Sequence, residues 1–243
     1  MNYKKIFPLV VLAGGEGTRL KSIAKEKPKI LTPIGNTSFI EIYIKNIMRL
    51  GFNEVIFIIH HGKKEIISYL EKSNNTDNLK YSFLYDGKIQ AGTAGALINN
   101  VEKLPENFWL TYGDTLLNFD PLDAQTTFFN SGKNSLMTII NKKHVKETPN
   151  IEIANNKIVN YNKIENERCE YVDYGALIFK KNLLYDYGRE TYKLDEILKD
   201  LINKQDIVAK FITDKFFEMG NKTSYNELNQ ILKVKKLEEL WNE

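Results

Sequence analysis

Residues 10–34, VVLAGGEGTRLKSIAKEKPKILTPI, set three glycines, an arginine and a lysine in an order that asks for an anionic partner. Gly14, Gly15 and Gly17 follow directly on an apolar run. A turn without Cβ atoms lets backbone N–H groups come close to a phosphate. Arg19 ends the turn, and Lys29 of the pair Pro28-Lys29 comes ten residues later. Two cations flanking such a turn suit a ligand with several phosphates. The spacing is neither that of a P-loop nor that of the G-x-G-x-x-G turn with its ribose-binding acid. Further on stand a second small-residue segment, GTAGAL (92–97), and an acid, Asp114, in Gly-Asp at the end of an apolar run.

These residues need a scaffold, and the hydrophobic pattern supplies one. Residues 7–12, 54–60, 79–86 and 108–117 read as strands, the first two buried on both faces. Helices are expected from Ser38, with Ser38 as N-cap and Gly51 as stop, over 63–72 and over 92–104. Alternation of this kind predicts a parallel sheet with right-handed crossovers. Ligands of such sheets bind at the carboxyl ends of the strands. Beyond Asp120 the pattern loosens into strands at 135–141, 151–164 (a hairpin turning at Asn155-Asn156) and 170–181. A helix over 194–204, a strand over 207–213 and a helix over 223–241 complete the order. No Pro- or Gly-rich linker and no internal repeat interrupts the 243 residues, so one domain is expected. Residues 1–120 and 121–243 read as its two halves, the first regular and the second looser.

Composition narrows the classes. A net charge of +3, scattered along the chain, argues against a nucleic-acid partner. The single Cys169 excludes an intramolecular disulfide and fits a reducing, cytoplasmic setting. The apolar stretch near the start is about six residues, short of the 7–15 of a signal peptide, and no run approaches the roughly 18 of a membrane span. His60 and His61 end a strand at the ligand edge, where a structural role is expected and a part in the site stays open.

The stretch LAGGEGTRL with Pro28-Lys29 and Pro33 resembles the signature of the nucleoside-triphosphate:sugar-1-phosphate nucleotidyltransferases. GTAGAL and Gly113-Asp114 follow in the family's order, and YGALIF (174–179) and FFEMGNKTSYNEL (216–228) are similar to its later segments. The resemblance implies a single-domain Rossmann-like α/β fold with a mixed, mostly parallel sheet flanked by helices. It implies that Leu12, Ala13, Gly14, Gly15, Gly17 and Thr18 wrap the nucleotide and that Gly92 and Thr93, with Gln90, hold the base. Arg19 would serve the leaving pyrophosphate and Lys29 would bridge phosphates. Asp114 and Glu218 would bind Mg²⁺. Lys163, Tyr112, Asp173 and Tyr174 would face the acceptor.

The chemistry agrees with those roles. Attack of a phosphate oxygen on an α-phosphorus needs alignment, charge neutralisation and a hard cation more than a protein nucleophile or strong base. The chain departs from the family on the acceptor side: Tyr112 replaces Asn, Asn150 stands near a usual Tyr-Gly, and Asn162-Lys163 replaces Glu-Lys. Glu218 stands where the second metal ligand is usually Asp. The expected partners are therefore a nucleoside triphosphate and a phosphorylated small molecule. A heptose or hexose 1-phosphate on the way to surface polysaccharide (capsule or lipopolysaccharide) comes first. Phosphocholine or phosphoglutamine with CTP, and a non-catalytic nucleotide sensor, remain alternatives. The base and any homo-oligomer stay open.

Overall fold

The structure, a computed structural model, describes residues 5–15, 20, 23, 27–60, 62–73, 78–87, 91–162, 167–188, 193–235 and 237–241. Its centre is the apolar run Leu9–Leu12 (β1), which has Val-Val at its middle and is buried on both faces. A strand covered on both sides must be flanked by strands and roofed by helices. β1 lies in parallel between Glu54–Ile59 (β4) and Asn107–Tyr112 (β6), and Lys80–Tyr85 (β5) forms the edge beyond β4. Two short strands, Pro33–Ile34 (β2) and Thr37–Ser38 (β3), make a separate hairpin.

Helix α1 (Phe39–Arg49) presents Phe39, Ile40, Tyr43, Ile44 and Ile47 to one core, at the spacing that brings residues three and four apart onto one face. Gly51, at φ +88°, ends it in a conformation that disfavours other residues. Ser38 stands at the N-cap as expected, but its hydroxyl makes no capping bond and donates instead to the Tyr69 hydroxyl at 2.7 Å, on α2 (Lys63–Lys72). α3 (Gly92–Ile98) packs its alanines and Leu97 against the opposite core.

Past Tyr112 the expected strand 108–117 breaks. Gly113 and Asp114 turn the chain, and Thr115–Leu116 (β7) leaves the main sheet to pair with Phe217–Glu218 (β13). An unanticipated helix follows, α4 (Pro121–Ser131), with the Asp120 carboxylate accepting from the Leu122 and Asp123 amides at 2.8 and 3.2 Å. Ser135–Asn141 (β8) then pairs with Tyr171–Lys180 (β11), which runs antiparallel to both β8 and β6. The hairpin of Ile151–Ala154 (β9) and Lys157–Tyr161 (β10) turns at Asn155 and Asn156, both left-handed (φ 50° and 59°), which is the two-residue turn Asn favours. Helix α5 (Leu194–Asn203) and strand β12 (Ile207–Ile212), parallel to β8, follow. Helix α6 (Lys222–Val234) starts at a reciprocal cap between Asn221 and Ser224. The final helix expected over 223–241 is interrupted at extended Lys235, and Leu237–Trp241 is a separate 3₁₀ turn.

The main sheet is thus nine-stranded, mixed and mostly parallel, with β10 and β11 running against the rest. It passes without a break from the first half of the chain into the second through β6 and β11. The two apolar cores lie on its two faces. No described helix is long and apolar enough to cross a membrane.

Candidate active site

The chain lays down β1, β4 and β5 in one direction and then returns to place β6 on the other side of β1. At such a reversal the loops leaving neighbouring strands part, and a crevice opens at their carboxyl ends. A cavity of about 350 Å³ occupies that position. Leu12, Ala13, Gly14 and Gly15 leave β1 along it, Gly92, Thr93 and Ala96 of α3 face it, and Tyr112, Gly113 and Asp114 leave β6 on its far side.

Backbone packing sets this geometry. The Ala13 amide donates to Ile58 O at 2.9 Å and the Gly113 amide to Leu12 O at 3.1 Å, prolonging the sheet past β1. A Cβ on Gly14 would lie 3.2 Å from both the His60 backbone nitrogen and the His60 Cβ, so the turn runs as close to β4 as its lack of a side chain allows. Gly62, at φ +66°, sits against the Pro28 ring so tightly that a Cβ there would overlap it at 1.9 Å from Pro28 Cγ. The loop after β4 thereby fixes the Pro28-Lys29 segment. Lys29, in a 3₁₀ turn (Lys29–Leu31), reaches into the cavity and pairs with Asp114 Oδ2.

Asp114 is held from several directions. Its other oxygen accepts from the Thr115 hydroxyl at 3.1 Å, and its carbonyl accepts from the Met219 amide at 2.8 Å. The β7–β13 ribbon places Glu218 opposite Thr115, and Glu218 also lines the cavity. Behind the ribbon, buried Asn46 of α1 both donates to Leu117 O (2.9 Å) and accepts from Leu117 N (3.0 Å). The Tyr174 hydroxyl donates to Asn118 O at 2.7 Å and accepts from Asn118 N at 3.0 Å.

Ten expected site residues therefore converge on one cavity: Leu12, Ala13, Gly14, Gly15, Lys29, Gly92, Thr93, Tyr112, Asp114 and Glu218. Thr93 spends its hydroxyl oxygen within the fold, accepting from the Leu194 amide at 2.9 Å and so tying α3 to the start of α5. Gly17, Thr18, Arg19, Gln90, Lys163 and His61 lie outside the described residues. Tyr174 corrects the expectation. It is fully buried, packed edge-on to Phe119 and Phe216, with its hydroxyl committed to the loop after β7; it steadies that loop and does not reach the cavity.

Asp173 points to the other side of β11. Its Oδ1 accepts from the Gly175 amide at 2.9 Å, and the Tyr161 hydroxyl is 3.5 Å from its Oδ2. Burial, followed by the negative charges of Asp173, Asp195 and Asp114, pushes the Tyr112 phenol well above its ordinary pKa. Tyr161 moves the same way, again through burial first and Asp173 next. Both phenols stay protonated hydrogen-bond donors at any physiological pH. Sequence reasoning missed Asp195 and Tyr161 here, and it missed Asp86, an acid at the end of β5 that lines the cavity.

The family model described as nucleotidyl transferase matches residues 9–235, from β1 to the end of α6. The chain belongs to that family. Among relatives within it, D-glycero-alpha-D-manno-heptose 1-phosphate guanylyltransferase of Campylobacter jejuni is 25% identical over 218 residues, covering 89% of this chain and 96% of that one. HddC from Yersinia pseudotuberculosis, solved in complex with GMP-PN, superposes at a TM-score of 0.76 with 21% identity, covering 93% of this chain and 99% of that one. The inositol-1-phosphate CTP transferase from T. maritima superposes at 0.76 with 17% identity, covering 94% and 97%. At those identities the two structures establish a shared fold.

Proposed function

We propose that this nucleotidyl transferase moves a nucleoside monophosphate from a nucleoside triphosphate to the phosphate of a sugar 1-phosphate. One observation carries the reading: the glycine turn after β1, Lys29, Asp114 and Glu218 line a single cavity at the point where the strand order reverses. An oxygen of the acceptor phosphate attacks the α-phosphorus, the bond from the α-phosphorus to the bridging oxygen breaks, and pyrophosphate leaves with that oxygen. An acceptor phosphate is already ionised at neutral pH, so the protein's part is to align two anions and offset their repulsion.

In this reading the amides of Gly14 and Gly15 approach the triphosphate, Lys29 lies between phosphates, and Arg19 receives the charge that grows on pyrophosphate. Asp114 and Glu218 fit a Mg²⁺ ion. They supply two hard carboxylate donors, and among the described residues no third His, Cys, Asp or Glu joins them. A site completed by phosphate oxygens and water is what Mg²⁺ prefers. When bound, that cation would neutralise charge on the α-phosphate. Lys163 and Asp173 are assigned to the acceptor, and the enzyme to the cytoplasm, where its triphosphate is made. A nucleotide-activated sugar is a donor for glycosyl transfer, which agrees with a place in surface-polysaccharide synthesis.

A second reading has its own observation. The charges of Asp173 and Asp195 both act on Tyr112 at the cavity's edge, and negative charge there suits an ammonium group as well as sugar hydroxyls. An amine-bearing phosphorylated acceptor therefore stands second. The test is a pyrophosphatase-coupled phosphate-release assay crossing four triphosphates with sugar 1-phosphates, phosphocholine and phosphoglutamine. Turnover with a sugar 1-phosphate supports the first reading. Turnover confined to amine-bearing acceptors installs the second, and none with any pair removes both.

A further inference from the structure

The ribbon that carries Glu218 is too short to hold itself. It has two residue pairs, Leu116 with Phe217 and Thr115 with Glu218. An isolated two-stranded ribbon is marginal in water even when it is longer. The end of β7 is tied down, because Asn46 and Tyr174 grip Leu117 and Asn118, and Arg49 Nη2 donates to Leu117 O at 3.1 Å. The β13 side is backed by Trp241. Its ring packs against Phe217 with centroids 5.3 Å apart, and the Arg49 guanidinium lies over the same indole at 4.9 Å. One ring thus links both strands of the ribbon, β13 through Phe217 and the end of β7 through Arg49. Leu237 and Leu240, both buried, seat the 3₁₀ turn that presents it.

Phe217 and Glu218 are neighbours on a strand, so their side chains leave it on opposite sides. Phe217 goes back to Trp241, and Glu218 goes forward to the cavity. The acid then folds in against its own turn, where a Cβ on Gly220 would meet Glu218 Oε1 at 2.5 Å. Where the carboxylate stands therefore follows where this short piece of backbone stands. Asp114 is fixed separately, by Thr115, Lys29 and the Met219 amide. A cation shared by two carboxylates needs both at a set separation, and metal sites depend on the groups that orient their ligands. We infer that Trp241 is a positioning residue for the metal site: by locking β13 to α1 it holds the Glu218 carboxylate at the separation from Asp114 that a divalent cation requires. This rests on the nucleotidyl-transfer reading, in which those two acids hold Mg²⁺, and adds to it a residue outside the cavity.

Titration calorimetry of the intact chain with ATP, CTP, GTP and UTP, in EDTA and then in Mg²⁺, tests it without turnover. The ratio of the two affinities, for the best-bound triphosphate, is the gain that the cation brings. Trp241→Ala should cut that gain by about tenfold, the scale of losing a group that orients a metal ligand. Affinity in EDTA should stay within about threefold of wild type, because the glycine turn and Lys29 are untouched. Trp241→Phe keeps a flat ring between Phe217 and Arg49 and should restore most of the gain. Should Trp241→Ala fail to fold, Phe217→Leu removes the ring on the ribbon side and should cut the gain by about threefold. An undiminished gain in the variant that folds overturns the positioning role and leaves nucleotidyl transfer standing. So does an equal loss of affinity with and without Mg²⁺, which marks an ordinary packing residue. A wild-type chain that gains nothing from Mg²⁺ removes the metal assignment together with this one. Binding of no triphosphate removes the transfer reading as well.

Discussion

One wall of the crevice, Ala13–Gly15 and Gly92–Thr93, offers mostly backbone; the region around Tyr112, Tyr161 and Asp173 offers side chains. The first is pressed against the end of β4 so closely that a methyl group on Gly14 would crowd His60. The second hangs on the end of β6, on the β9–β10 hairpin and on the irregular part of β11 between Asp173 and Leu177. On the proposed function, the difference follows from what each would hold. Phosphates are alike in every nucleotide, and amides fixed by the sheet recognise them without reorganising. Acceptors differ, and they call for side chains, here Tyr161 and Asp173, set where the hairpin meets the core.

The contrast can be broken at several points. The largest effect is expected at Asp114, where the two regions meet. Asp114→Asn should lower kcat by about 10²–10³, the scale of losing one preorganised charge stabiliser. Activity within about threefold of wild type in excess Mg²⁺ would take Asp114 out of the chemistry. Next, Arg19→Lys keeps the charge and loses the planar fork. It should reduce kcat and kcat/KM together by about 10- to 100-fold, the mark of an interaction made in the transition state. An effect limited to the nucleotide KM would place Arg19 in ground-state binding instead.

On the acceptor side, Lys163→Ala should raise the acceptor KM by about tenfold and leave nucleotide affinity nearly unchanged. Loss of nucleotide affinity, measured by calorimetry, would put the hairpin on the wrong side of the comparison. Asp173→Asn sharpens it further, with a small loss for a neutral sugar phosphate and a large one for an amine-bearing acceptor. The smallest effect belongs to Tyr174→Phe. It strips two hydrogen bonds from Asn118 and should cost about 1–2 kcal/mol of stability, a Tm drop of several degrees, with acceptor KM little changed. A raised acceptor KM at unchanged Tm would return Tyr174 to the acceptor.

Tyr174 also shows where sequence reading goes astray. Asp173 and Tyr174 are neighbours on a strand, and neighbours on a strand face opposite ways. Only one of the pair could reach an acceptor, and the phenol's apolar body went to the core with Phe119 and Phe216. The parallel half was easy to read because β1 and β4 are nearly unbroken apolar runs, and the glycine turn because its residue types have few other uses. Helix α4 escaped although Asp120, Pro121 and Gly132 mark its ends. Its buried face includes Gln125, a polar residue that breaks the period; its amide accepts from Phe7 N at 2.8 Å and Trp109 Nε1 at 3.0 Å, and donates to Lys5 O at 3.1 Å. Asp86 escaped because a lone acid at a strand end looks like any solvated loop. Its burial beside the cavity is something only the fold reveals.

The ribbon of Thr115–Leu116 with Phe217–Glu218 has a consequence for synthesis on the ribosome. A nascent chain that has emerged through α3 and β6 already carries the glycine turn, Lys29 and Asp114. Glu218 and the amide of Met219 that fastens Asp114 are made only after α5 and β12. On the proposed function, an interrupted or clipped translation product would lack one of the two carboxylates assigned to the metal. Stalled fragments are expected to be inert toward the cell's triphosphate pool, and competence arrives in one late step.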